Sequence, residues 1–268
     1  MAKHKTAAEM HLCVERVVPF ELKRLAARRS IEHNAHNDPA GRMATVRGMG
    51  VSAHPLKMAL ETSKRWKPGT TLGVQFMDGS STQRAKARKL AEEWLAYADI
   101  KFKWNAGKKA QIRVSFSADD GSWSAVGTDC LVTEYFKKNE PTMNFGWLRD
   151  DTDDVEWRRV VVHEFGHALA CIHEHQNPKG GILWNEPAVL AAFSGPPNNW
   201  SVEDIRYNIL EKYSIDQLNA TTFDPKSIML YSFPKELIKG PKSFAKTGTA
   251  ENTKMSARDK TYIRKMYP

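Results

Sequence analysis

Four side chains in one short stretch have the types and spacing to do chemistry. His163 and His167 stand four residues apart, Glu164 follows the first, and His173 lies six residues beyond the second. On a helix, a four-residue spacing puts both imidazoles on one face, one turn apart. Two such nitrogens can take two corners of a tetrahedral zinc site at about 2.0–2.1 Å each. Glu164 points beside the metal rather than at it, where a general base for an attacking water belongs. The third corner falls to His173, which needs the chain to leave the helix and return. The pattern therefore implies one catalytic zinc and a hydrolytic reaction.

The stretch resembles the metzincin zinc peptidases, whose long motif is HExxHxxGxxH followed by a Met-turn. Its continuation, Glu174 to Pro178, looks like the astacin branch, in which Glu commonly follows the third His. A second feature agrees: Ser227-Ile228-Met229-Leu230-Tyr231 resembles the astacin Met-turn, with Leu230 in place of His. The resemblance implies zinc ligands His163, His167 and His173, with Met229 as an apolar floor beneath them. It also implies a switching Tyr231, which binds zinc without substrate and swings away to the reacting carbonyl. One position departs, because Ala170 stands where the family has Gly. That Gly turns the backbone sharply out of the helix, and Ala reaches left-handed angles only at a cost of roughly 1–2 kcal/mol.

The elements that must position these residues read as follows. Val155 to Val162 is the body of the zinc helix, with Asp153 and Glu156 as a capping box. Upstream, Thr71–Phe76 is a strand and Gln83 to Ala98 an amphipathic helix. Ile100–Trp104 and Ile112–Phe116 alternate as strands, and Thr142–Trp147 is the last strand before the zinc helix. Between them, Gly121 to Thr128 reads as a short exposed edge strand. By the resemblance, its Trp123, Ser124, Ala125 and Val126 would pair with an extended substrate through the main chain; the other reading is an ordinary edge strand with a surface Trp. Below the motif, Pro187–Phe193, Ser201–Tyr213 and the segment after Ser256 read as helices. The implied class is α+β: a metzincin-type fold with a twisted mixed sheet and two long helices in the upper lobe, over a mostly helical or irregular lower lobe. The resemblance covers residues 66 to 268.

Composition sets outer bounds. The 268 residues are 41% hydrophobic, enough for a sizeable core. No apolar run approaches the roughly 18 residues of a membrane helix, so no membrane partner is expected. The formal charge of +9 comes from scattered rather than striped basic residues, which reads as a solvated surface and not a nucleic-acid footprint. Three dispersed cysteines, Cys13, Cys130 and Cys171, do not make a disulfide framework. With no signal peptide in view, a cytoplasmic home or export without a cleaved leader is expected. The chain divides into an N-terminal extension, 1–60, and a catalytic domain, 61–268. Val14 to Arg29 reads as a helix and His33 to Gly50 as loop. The extension is either an accessory layer, the preferred reading, or a pro-segment that plugs the cleft. Matrixin-type metzincins use a pro-segment Cys as a temporary zinc ligand, but Cys13 lacks their surrounding motif and reads as a buried structural residue. The expected protein is a monomeric zinc endopeptidase acting on peptides or proteins. The other class kept open is a zinc-bound, non-proteolytic binding protein.

Overall fold

The computed structural model describes residues 13–38, 64–195, 198–212 and 222–268. The described chain forms two compact units, 13–171 with 259–268, and 172–258. The first unit holds a six-stranded sheet. Its strands are β1 (Val14–Arg16), β2 (Thr71–Phe76), β3 (Lys101–Trp104), β4 (Ile112–Ser115), β5 (Ser122–Ala125) and β6 (Met143–Phe145). Their order is β1-β5-β6-β4-β2-β3, parallel throughout except for the antiparallel β5–β6 pair. Leu72, Val74 and Val114 are completely buried, so the central strands read as apolar runs covered by other layers.

Three helices cover that sheet's unit: α1 (Lys23–His33), α2 (Ser81–Ala91) and α3 (Asp154–Ala168). Ser80 and Gln83 cap α2 reciprocally, satisfying two amide N–H groups that a helix start leaves unpaired. The α-helical part of this segment ends at Ala91 and continues as a tighter 3-10 turn over Glu92–Ala96. That turn aims Trp94 at α3, where its indole N–H donates to the Val162 carbonyl at 2.9 Å. Val160, Val161 and Val162 are fully buried, and each such side chain contributes roughly 1.5–3 kcal/mol relative to exposure. Helix α3 is therefore a fixed element on which a site can be built.

The N-terminal reading needs correction. Val14–Arg16 is a strand rather than the start of a helix, and α1 begins only at Lys23. Pro19, at φ −53°, precedes a 3-10 turn over Phe20–Leu22 and separates the two. Pairing with β5, a contact remote in sequence, decides the conformation of residues 14–16. The loop expected over His33–Gly50 lies outside the described residues from position 39 onward.

In the second unit, α4 (Glu186–Ser194) starts with Pro at a first-turn position, and α5 (Val202–Ile205) is closed by a Ser201–Asp204 capping box. β7 (Leu183–Trp184) pairs with β8 (Ile238–Gly240), and α6 (Lys242–Thr247) follows. The last helix, α7 (Ala257–Met266), belongs to the first unit from residue 259 onward.

Tyr267, just past α7, ties the chain end to the end of α3. Its hydroxyl donates to the Leu169 carbonyl at 2.9 Å and accepts the Trp66 amide at 3.3 Å. Tyr267→Phe leaves both groups buried without this partner, which should lower stability by about 1–3 kcal/mol. Thermal unfolding checks this, and an unchanged midpoint would contradict it.

Candidate metal centre

Asp153 accepts the Val155 amide at 2.7 Å and starts α3, while Glu156 binds the Trp147 indole and Arg159. Two turns on, His163 and His167 converge. Their Nε2 atoms are 3.1 Å apart, and both rings are buried. His167 Nδ1 donates to the Cys171 carbonyl at 2.9 Å, which leaves its Nε2 as a bare lone pair facing His163. Burial lowers the His167 pKa, so the ring stays neutral, the form a metal needs. Two nitrogens each bonded to one tetrahedral zinc lie about 3.3 Å apart. The observed pair fits that requirement.

The way the helix ends matters as much. Leu169 is its last cap, the Ala170 amide donates to His167 O at 2.8 Å, and the Cys171 amide donates to Gly166 O at 2.9 Å. These two bonds are the Schellman pattern, which requires a left-handed residue in the middle. Ala170 supplies it at φ +66°. The position therefore keeps the glycine-like conformation despite its methyl group. Gly127 faces that methyl, and a Cβ there would meet the Ala170 Cβ at 2.8 Å and the Lys64 carbonyl at 2.1 Å. The same turn delivers the Cys171 carbonyl to His167 Nδ1, so helix termination and imidazole tautomer are one structural event.

Glu164 is fully buried, and burial pushes its carboxyl up to about 8. A divalent cation beside it would act in the opposite direction. Cys13 lies against it: the Cys13 sulfur, a His163 ring nitrogen and a Glu164 oxygen are within 4.8 Å of one another. Cys13 is buried as expected, but against the Glu164 carboxylate rather than in plain apolar packing, and burial raises its thiol pKa. Two residues further along the chain, the Glu15 carboxylate sits 3.6 Å from His167 Nδ1, also buried. Neither neighbour was visible in the sequence, since only the β1–β5 pairing brings residues 13–15 there.

In the other unit, His173 is buried, and its Nε2 meets the Tyr231 hydroxyl. Their rings are 4.4 Å apart, and the neighbouring His175 ring stacks on His173 at 5.1 Å. His175 Nε2 donates to the Asn208 carbonyl at 2.9 Å, which fixes its tautomer. Glu174 binds the Met-turn from two sides. Its amide donates to Met229 O at 3.0 Å, and its carboxylate accepts the Asp224 amide at 2.7 Å. Ser227 through Tyr231 are all buried, Met229 at 3% exposure.

Trp123, Ser124, Ala125 and Val126 do not form an exposed edge. β1 pairs with one side of β5 and β6 with the other, and all four residues are buried. A three-residue strand from the N-terminal segment, read from sequence as helix, occupies the edge expected to be free.

No family model matches the chain, and no curated protein matches it. Solved structures do. The chain is similar to myroilysin at 39% identity and TM-score 0.71, covering 76% of this chain and 96% of that one. A second myroilysin crystal structure gives 39% identity and TM-score 0.59 over 77% and 86%. The fold is also similar to high choriolytic enzyme 1, a hatching-enzyme zinc-protease of the medaka fish Oryzias latipes. That likeness has 17% identity and TM-score 0.50 over 80% of this chain and 96% of that one.

The helix end yields its own test. Ala170→Gly relieves a left-handed strain of roughly 1–2 kcal/mol, offset by about 0.4–1 kcal/mol of added unfolded-chain entropy. A small rise in the thermal midpoint should follow. A fall would mean that the methyl contact outweighs the strain.

Proposed function

The chain belongs to the astacin family of zinc metalloproteases, and on that premise we propose that it is an endopeptidase with Glu164 as its general base. One catalytic zinc belongs to the motif's three histidines, His163, His167 and His173. Peptides or proteins are its substrates. The observation that carries the reading is the pair of Nε2 atoms converging at 3.1 Å beside a fully buried Glu164. Zinc supplies Lewis acidity, which makes water nucleophilic near neutral pH and polarises a peptide carbonyl. Glu164 removes a proton from the attacking water as the C–O bond forms, then delivers it to the amine nitrogen as the C–N bond breaks. Tyr231 donates a hydrogen bond to the carbonyl oxygen as charge builds there, a contact of about 3–4 kcal/mol. Met229 serves as apolar floor. In this reading the enzyme acts as a monomer, without nucleic-acid or membrane partners.

A second reading concerns the N-terminal segment. The division at residue 60 is a proposal in which the extension has two parts. Residues 17–38 are an accessory layer: Val18, Ala27 and Ser30 are buried, and Asn37 Nδ2 donates to Arg65 O at 2.7 Å. Residues 13–16 are the blocking part. They take the β5 edge along which Trp123–Val126 would hold an extended substrate, and they set Cys13 against Glu164. A substrate strand can pair with β5 only after β1 leaves.

Two measurements follow. Glu164→Ala should keep one zinc per chain while peptide hydrolysis falls by roughly 10²–10⁴. Near-normal hydrolysis with zinc retained would remove Glu164 as the base, whereas a wild-type protein that binds zinc and cleaves nothing would favour a binding protein. For the segment, deleting residues 1–16 should give a soluble and more active enzyme, while deleting 1–38 should cause aggregation by exposing the surface under α1. A 1–16 deletion without gained activity would leave β1 as purely structural.

A further inference from the structure

Tyr231 follows the Met-turn in a stretch with no helix or strand of its own, 231–234. Something else must hold its main chain, and one side chain supplies two of the bonds. Thr249 Oγ1 donates to the Tyr231 carbonyl at 2.6 Å and accepts the Phe233 amide at 2.6 Å. The Thr249 amide donates in turn to the Phe233 carbonyl at 2.9 Å. Thr249 is 1% exposed, so water does not compete for these groups. The approach depends on Gly248, at φ +74°, where a Cβ would meet the Phe233 carbonyl at 2.4 Å. Its amide also closes α6 by donating to Phe244 O at 2.8 Å. The end of α6 therefore serves to place one buried hydroxyl against residues 231–233.

We propose that Thr249 is a positioning residue for Tyr231, fixing the backbone pivot from which the phenol reaches the reacting carbonyl. The inference rests on the transition-state role given to Tyr231 above. The lever arm makes the anchor matter. The phenol oxygen lies about 6.5 Å from its own Cα, so a backbone rotation of about 10° moves it by roughly 1 Å, a misplacement that can cost 10²-fold in rate. The ring is packed against His173, His175 and Phe233, at 4.4, 5.2 and 5.7 Å between centroids. A tilted pivot would therefore redirect the phenol among other rings rather than let it settle back.

The test is a double-mutant cycle in the zinc-loaded, full-length protein on one peptide substrate. Thr249→Val keeps the shape and removes the hydroxyl, and should lower kcat roughly 10- to 100-fold with KM within about threefold and zinc content unchanged. Thr249→Ser should restore kcat. In a Tyr231→Phe background, itself slower by roughly 10- to 10³-fold, Thr249→Val should change kcat by less than about threefold. An equal drop in both backgrounds, or no drop in the wild type, would overturn the role of Thr249 and leave Tyr231 in place. A Tyr231→Phe enzyme with unchanged turnover would overturn both. If Thr249→Val does not fold, Thr249→Ala is carried through the same cycle under the same criteria.

Discussion

The Nε2 atoms of His163 and His167 lie 3.1 Å apart, a distance that calls for a shared proton or a cation held by both. That constraint organises the unit around it. His167 turns its Nε2 lone pair toward His163 because it donates its Nδ1 proton to Cys171 O. Cys171 O is in reach because α3 ends in a left-handed turn at Ala170. The turn is held from outside by the Trp66 indole on Ala168 O at 2.8 Å and by Tyr267 on Leu169 O. Trp66 and Tyr267, far apart in sequence, thus converge on the last carbonyls of one helix. Metal affinity and fold stability draw on the same few bonds, as linkage between binding and folding requires.

Burial sets the character of the site. Glu164 and His167 are fully buried, which favours their neutral forms and strengthens each interaction they make. The N-terminal strand does part of that enclosing, with Cys13 over Glu164 and Glu15 beside His167. The segment that completes the sheet is also the one that covers Glu164. If substrate pairs along β5 as proposed, its access and the integrity of the sheet edge are opposed, and only three residues hold that edge.

What could be read from the sequence was local. Strand β2 at Thr71–Phe76 and the long helices announced themselves by period, and the zinc helix by its histidines. The family followed from HExxH with a third His and a Met-turn. The misses were all non-local. Val14–Arg16 carries no strand signal of its own and takes its form from β5. Because that pairing was invisible, β5 looked like a free edge, and Cys13 looked like ordinary packing. Ala170 raised the right question about backbone angle, yet its answer depends on Gly127, far away in sequence. Thr249 shows nothing locally, since its meaning lies in the carbonyl it touches.

The central claim is that one zinc on the helix pair makes this chain a peptidase. The direct measurement is a zinc titration of the chelator-stripped protein, with metal content and peptide hydrolysis read on the same samples. Hydrolysis should be absent without metal and rise linearly to a plateau at one zinc per chain. His163→Ala and His167→Ala proteins should neither retain the ion nor recover hydrolysis. Hydrolysis in the stripped protein, or stoichiometric zinc binding that survives loss of both histidines, would contradict the account.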